Sequence, residues 1–143
     1  MALPHTWRPR RARIFCYAVA LLLMVVLCVV AAILPHDGAR EWNLPSRLGV
    51  IGVGIPIAYF LHRHANVQII AREDDLEIVN LFQRHRLQWG EILAVRLRRG
   101  DPWVFLDLSN GETIAAMGIQ GSDGEAAPRA ARALADLVHA KSA

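Results

Sequence analysis

Four arginines, Arg84, Arg86, Arg96 and Arg98, recur at every second position in two neighbouring segments, RHRLQW and EILAVRLRR. Guanidiniums offer forked donors that match phosphate and carboxylate, so the chemistry such a row could do is anion binding. In strands, each pair projects to one face. If the two strands pair, the four form a patch for anionic lipid headgroups or an acidic protein. The competing reading is a solvated face whose cross-strand partners include Glu77.

Other chemistry-bearing residues lack companions. Glu91, in RLQWGEI, has no acid, base or metal ligand in its segment. Ser122 lies in GSDG rather than in a nucleophile elbow. His62 and His64 flank Arg63 with no Cys or acidic residue nearby, and His85 falls on the apolar side of its strand. GVIGVG has the glycines of a dinucleotide loop, but no strand precedes it and no polar helix follows. Cys16 and Cys28 lie about 18 Å apart along one apolar helix, too far to pair, and read as small packing residues. No catalytic residue, metal or cofactor is expected, and the chain reads as a non-enzyme.

The elements that must position the arginines begin with two apolar runs. Ile14 to Leu34 contains no charged residue, and at ~1.5 Å per residue it reaches about 30 Å, the thickness of a bilayer core. It is longer than a signal-peptide core of about 7 to 15 residues. Leu48 to Leu61 is shorter, and Arg47 and Arg63 extend it by snorkelling. Gly49, Gly52 and Gly54 suit close packing on the first run. The expected organisation is a basic cytoplasmic N-terminus (1–13), membrane helices over 14–34 and 47–63, an outer loop over 35–46, and a domain over 66–141. Arginine counts in the flanks favour both termini in the cytoplasm, making the chain a multi-pass protein of the inner (plasma) membrane.

Charge is divided the same way. Residues 1 to 65 hold seven arginines against Asp37 and Glu41, a net of +5, whereas residues 66 to 143 hold nine Lys or Arg against eleven acids, a net of −2. The basic excess belongs to membrane topology, so no nucleic-acid partner is expected.

The tail alternates with period two through VQIIAR, DLEIVNLF and RHRLQW, with His85, Leu87 and Trp89 on one face. Leu93, Val95 and Leu97 are expected to line the core side of the next strand. Asn110-Gly111 suits a two-residue type I′ turn, which would set Leu108 opposite Thr113, Leu106 opposite Ala115 and Val104 opposite Met117. After Gly121 the period becomes helical, with Ala127, Ala130, Ala131, Leu134, Leu137 and Val138 on one stripe. The helix is expected to begin near Glu125, because Pro128 cannot sit in a helix interior. Trp89 is assigned to the core, its indole N–H reaching a backbone carbonyl, and Gly90 to a chain turn.

Six antiparallel strands closed by one helix, with RHRLQWGEILAVRL joined to a later NGET hairpin, resemble the short bacterial PH-like domain family typified by the mycobacterial low molecular weight protein antigen 6. The resemblance covers nearly all of the tail. It implies an α+β chain: a transmembrane helical hairpin, then a small antiparallel β domain with a C-terminal capping helix. The six strands are one fewer than a full PH fold has. The resemblance implies no established enzymatic activity and no assigned ligand. Three functional expectations follow: an integral membrane scaffold recruiting a protein partner at the inner surface, a sensor of anionic lipid headgroups, and an accessory subunit of a membrane transport complex.

Overall fold

The computed structural model describes residues 1–36 and 41–143, so residues 37–40, inside the loop expected over 35–46, lie outside it. The α+β plan is found, but the chain divides into two units in an order that the sequence does not announce. One unit is Ile14–Ala65, and the other combines Met1–Arg13 with Asn66–Ala143.

The helical unit contains most of α1 (Arg10–Ile33) and all of α2 (Leu44–Ala65). Both are long and apolar enough to cross a membrane, and α1 starts four residues before the charge-free run because arginine is a good helix former. The Arg47 guanidinium donates to the Ala31 and Leu34 carbonyls at 2.5 and 2.6 Å, binding the C-terminal end of α1, where the helix dipole favours a cation. Of the three glycines expected at the helix contact, only Gly54 meets α1: an added Cβ would lie 2.5 Å from Leu27 Cδ1, whereas Gly49 and Gly52 face open space.

The second unit contains seven strands. β1 (His5–Trp7), β2 (Gln68–Ala71), β3 (Asp75–Val79) and β4 (Arg84–Gln88) form one antiparallel sheet in that order, and β5 (Ile92–Arg96), β6 (Trp103–Leu108) and β7 (Thr113–Gln120) form a second. The strand missing from the tail is therefore supplied by the N-terminus. Residues 1–13 are not a free basic tail. Trp7 is buried in the core, Arg8 donates to Gln68 Oε1 at 2.7 Å, and the Arg11 amide donates to Asp123 Oδ1 at 3.0 Å.

The two sheets enclose one core that includes Ile69, Leu76, Ile78, Val104, Leu106 and Leu134. They meet where β7 crosses β2: a Cβ on Gly118 would lie 2.4 Å from the Ile69 backbone nitrogen, so only glycine allows this approach. The Asn80 side chain adds a second join. Its Nδ2 donates to the Ala115 carbonyl at 2.6 Å and its Oδ1 accepts from the Met117 amide at 3.0 Å, as a further strand residue would. The last helix, α3 (Ala126–Ser142), packs on β5 and β7 through Ala127, Ala131, Leu134 and Val138, with Leu137 partly buried. Pro128 is its third residue, where an amide N–H has no partner within the helix to lose.

Two registers differ from expectation. In the β6–β7 hairpin Asp107 faces Thr113, Leu106 faces Ile114 and Val104 faces Ala116. The Gly111 amide bonds to the Leu108 carbonyl, and of the residues in this turn only Gly111 (φ 86°) has positive φ. This is a type I turn followed by a left-handed glycine, not the two-residue type I′ turn, and it shifts the pairing by one residue. In β5, the register breaks between Ile92 and Ala94. The bulge turns Leu93 outward, 67% exposed, and hands its expected core position to Ile92.

Candidate functional site

The four arginines do not form one row. Arg84 and Arg86 lie on β4, the edge of the four-stranded sheet, while Arg96 ends β5 in the other sheet and Arg98 follows it. β4 and β5 are consecutive in the chain but do not pair, because the 3-10 turn Trp89–Glu91 carries the chain from one sheet to the next.

Carboxylates meet three of the four guanidiniums. Glu77, nearly buried on β3, accepts from Arg72 and stands 3.3 Å from Arg84 Nη1. Asp75 stands 2.6 Å from Arg86 Nη2 and 3.2 Å from Arg72 Nη1. Arg86, and then Arg72, hold the Asp75 carboxyl below the ordinary carboxylate range, with partial desolvation opposing them. On the second sheet, Arg96 makes a forked contact with Asp107, Nε to Oδ2 at 2.5 Å and Nη2 to Oδ1 at 2.7 Å, and Thr113 Oγ1 donates to Oδ1 at 2.8 Å. Arg96, and then Thr113, lower the Asp107 carboxyl in the same way. Arg98 is different: its backbone amide is held by Asp101 Oδ2 at 2.8 Å, while its side chain enters no salt bridge among the described residues.

The Trp89 corner is a packing device. Trp89 is 5% exposed, its Nε1 donates to the Glu73 carbonyl at 3.1 Å, and its own carbonyl accepts from Ser142 Oγ at 2.8 Å. Trp89 thus holds the β2–β3 turn through its indole and the end of α3 through its backbone carbonyl. Glu91 accepts the Gln88 amide at 2.7 Å and so closes the 3-10 turn. Gly90 departs from its expected role: its φ is not positive and a Cβ would meet nothing within 4 Å, so glycine is not required there. Asn110 caps the hairpin by accepting the Glu112 amide at 2.9 Å.

Among the described residues no group of three or more His, Cys, Asp or Glu could hold a metal ion. Within the helical unit His62 Nδ1 and the Tyr17 hydroxyl share a hydrogen bond of 3.0 Å. His85 is half-buried, its Nε2 3.3 Å from Gln83 Oε1.

The residues that sequence reasoning missed are Trp7, Arg8, Arg11, Asn80 and Gly118. Arg8 and Arg11 count as arginines of the membrane flank, which hides their contacts with the domain, and Trp7 stands in no recognisable pattern. A three-residue strand shows too little alternation to be recognised by periodicity.

A protein-family model described as "Bacterial PH domain" matches residues 66–137. No curated protein and no solved structure matches the chain.

Proposed function

The chain belongs to the bacterial PH domain family, and from that premise we propose that it is a membrane-anchored, non-enzymatic scaffold whose PH-like unit recruits a protein partner at the inner surface of the cell membrane. The observation that carries this reading is the pairing of β1 with β2. A strand ahead of two membrane-length helices and six strands after them make one domain, so the domain cannot release its helices without losing an edge of its sheet. Such an arrangement suits a module whose position matters more than its turnover.

The ion pairs weigh toward a protein partner over lipid headgroups. Arg84, Arg86 and Arg96 already face carboxylates, and a headgroup would have to compete with them. The experiment is crosslinking in intact cells, followed by purification of the full chain in mild detergent. A protein recovered in fixed ratio to the chain is the expected result. Recovery of no protein, together with salt-sensitive binding of the full chain to anionic vesicles, would replace the scaffold by the lipid sensor. Recovery of a transporter would make the chain an accessory subunit of that complex.

A further inference from the structure

We propose that the seam between β5 and α3 is the recruiting surface, and that its occupant is an extended acidic segment of a partner protein, added as a fourth strand beside β5. The inference rests on the scaffold reading above. β5 pairs with β6 alone and is an edge of the three-stranded sheet, so no strand occupies its outer side, along which α3 packs. The bulge in the β5–β6 pairing re-aims Leu93 outward at 67% exposure, so this edge presents a large apolar side chain to a partner.

Two concavities lie along the seam. One, of about 190 Å³, is bordered by Ile92 to Val95 on the strand and by Ala135, Val138 and His139 on the helix. The other, of about 580 Å³, lies toward the opposite ends of both elements, bordered by Leu97, Arg98, Arg99, Ala127 and Pro128. The first can take apolar side chains and the second an acidic one.

Charge complementarity selects the partner's chemistry. Arg98 and Arg99 enter no salt bridge among the described residues, and neither does Arg132. Arg132 is four residues from Pro128 and three from Ala135, hence on the helix stripe that borders the seam. Asp101 also borders the larger concavity, where it is engaged by the Arg98 amide, and Asp136 lies one turn from Arg132 on the helix, so the complementarity rests chiefly on Arg98 and Arg99. An acidic extended segment satisfies both the arginines that enter no salt bridge among the described residues and the strand edge, whereas a lipid headgroup satisfies only the former. Antiparallel addition places the segment's acidic residues at its N-terminal end, beside Arg98 and Arg99.

The test uses the full chain in lipid nanodiscs and three fluorescent heptapeptides: two glutamates followed by alternating valine and threonine, the same peptide with alternate amides N-methylated, and the same peptide with lysines for glutamates. The first should bind and the other two should not. The double variant Arg98→Glu, Arg99→Glu should weaken binding at least about tenfold, while Arg98→Lys, Arg99→Lys retains most of it. Circular dichroism checks that both variants remain folded. In cells, a photo-crosslinking residue at Leu93 should capture a protein that the double glutamate variant no longer captures, and one at Glu112 on the β6–β7 hairpin should not. Equal binding of the N-methylated peptide would overturn strand addition. Capture only at Glu112 would overturn the seam and leave the scaffold standing. Capture of a second copy of this chain at Leu93 would overturn the acidic partner. Capture at neither position, with no protein recovered by general crosslinking, would remove the scaffold itself.

Discussion

Trp7 stands opposite Ile69 in the register of β1 against β2, although the whole helical unit, Ile14–Ala65, lies between them in the chain. The region matched by the family model begins at Asn66, so it leaves out a strand that the sheet uses. Burial of Trp7 at 8% exposure makes that strand more than an edge decoration.

Removing the indole should therefore weaken a domain sixty residues away in sequence. Trp7→Ala is expected to cost about 3 to 5 kcal/mol, as loss of a buried aromatic does. Denaturation of the full chain in detergent, followed by the strand signal in far-UV circular dichroism, measures it. Residues 66–143 alone should melt at a lower temperature than the full chain, and a peptide of residues 1–9 should raise that temperature. An unchanged melt for Trp7→Ala would show that β1 contributes nothing to stability.

Trp89 separates two contributions. Trp89→Ala should cost about 3 to 5 kcal/mol through lost packing. Trp89→Phe keeps most of the volume and leaves the Glu73 carbonyl without its donor, a loss of about 1 kcal/mol. A phenylalanine variant as damaged as the alanine one would mean that the hydrogen bond, not the packing, holds the corner.

Glycines provide a sharper contrast because sequence alone ranks them wrongly. Gly90→Ala should change stability by no more than about 0.5 kcal/mol, having open space and an ordinary φ. Gly118→Ala should prevent normal closure of the sheets, because its methyl would overlap the Ile69 backbone. Parallel melts decide the order, and a damaging Gly90→Ala beside a harmless Gly118→Ala would contradict this packing.

How much could be read in advance follows from the range of each interaction. The 21 uncharged residues from Ile14 carry a helix in their own composition, and the alternation through Leu87 and Trp89 carries a strand. Local periodicity is enough for such elements. The bulge that exposes Leu93 and the one-residue slip at Asn110-Gly111 are set by backbone geometry, to which side-chain type is a weak guide. Of the two readings of the arginines, the cross-strand partner Glu77 is legible from alternation and is found beside Arg84, whereas a shared patch depends on a strand pairing that periodicity cannot give. Period two gives each arginine its face, but only tertiary pairing tells that β4 and β5 belong to different sheets and that Asp107 on β6 stands beside Arg96.

Acid should act through the carboxylates those arginines hold. The Asp107 carboxyl is lowered by Arg96 and Thr113, so its contribution is fully present above the ordinary aspartate value of about 3.9 and is lost as pH falls toward the folded value. Asp107→Asn should accordingly lower the melting temperature at pH 7, and the gap from the unsubstituted chain should narrow below about pH 4. A gap that is constant from pH 7 to pH 3 would show that the carboxylate's charge is irrelevant to stability.

The same strand pairing constrains topology. β1 precedes α1 and β2 follows α2, and two strands of one sheet must lie on one side of a membrane. If α1 crosses, α2 must cross back, whatever its length suggests by itself. Arg8, Arg10, Arg11 and Arg13 ahead of α1 favour the cytoplasmic side for both ends. Alkaline phosphatase, active only outside the cytoplasm, should be inactive when fused after Ala143 and active when fused after Trp42, between the helices. The reverse pattern would put the domain outside and remove the inner-surface scaffold. Inactivity at both positions would mean that α1 does not cross, and activity at both that α1 crosses without return, which would be incompatible with Trp7 reaching Ile69 in one sheet.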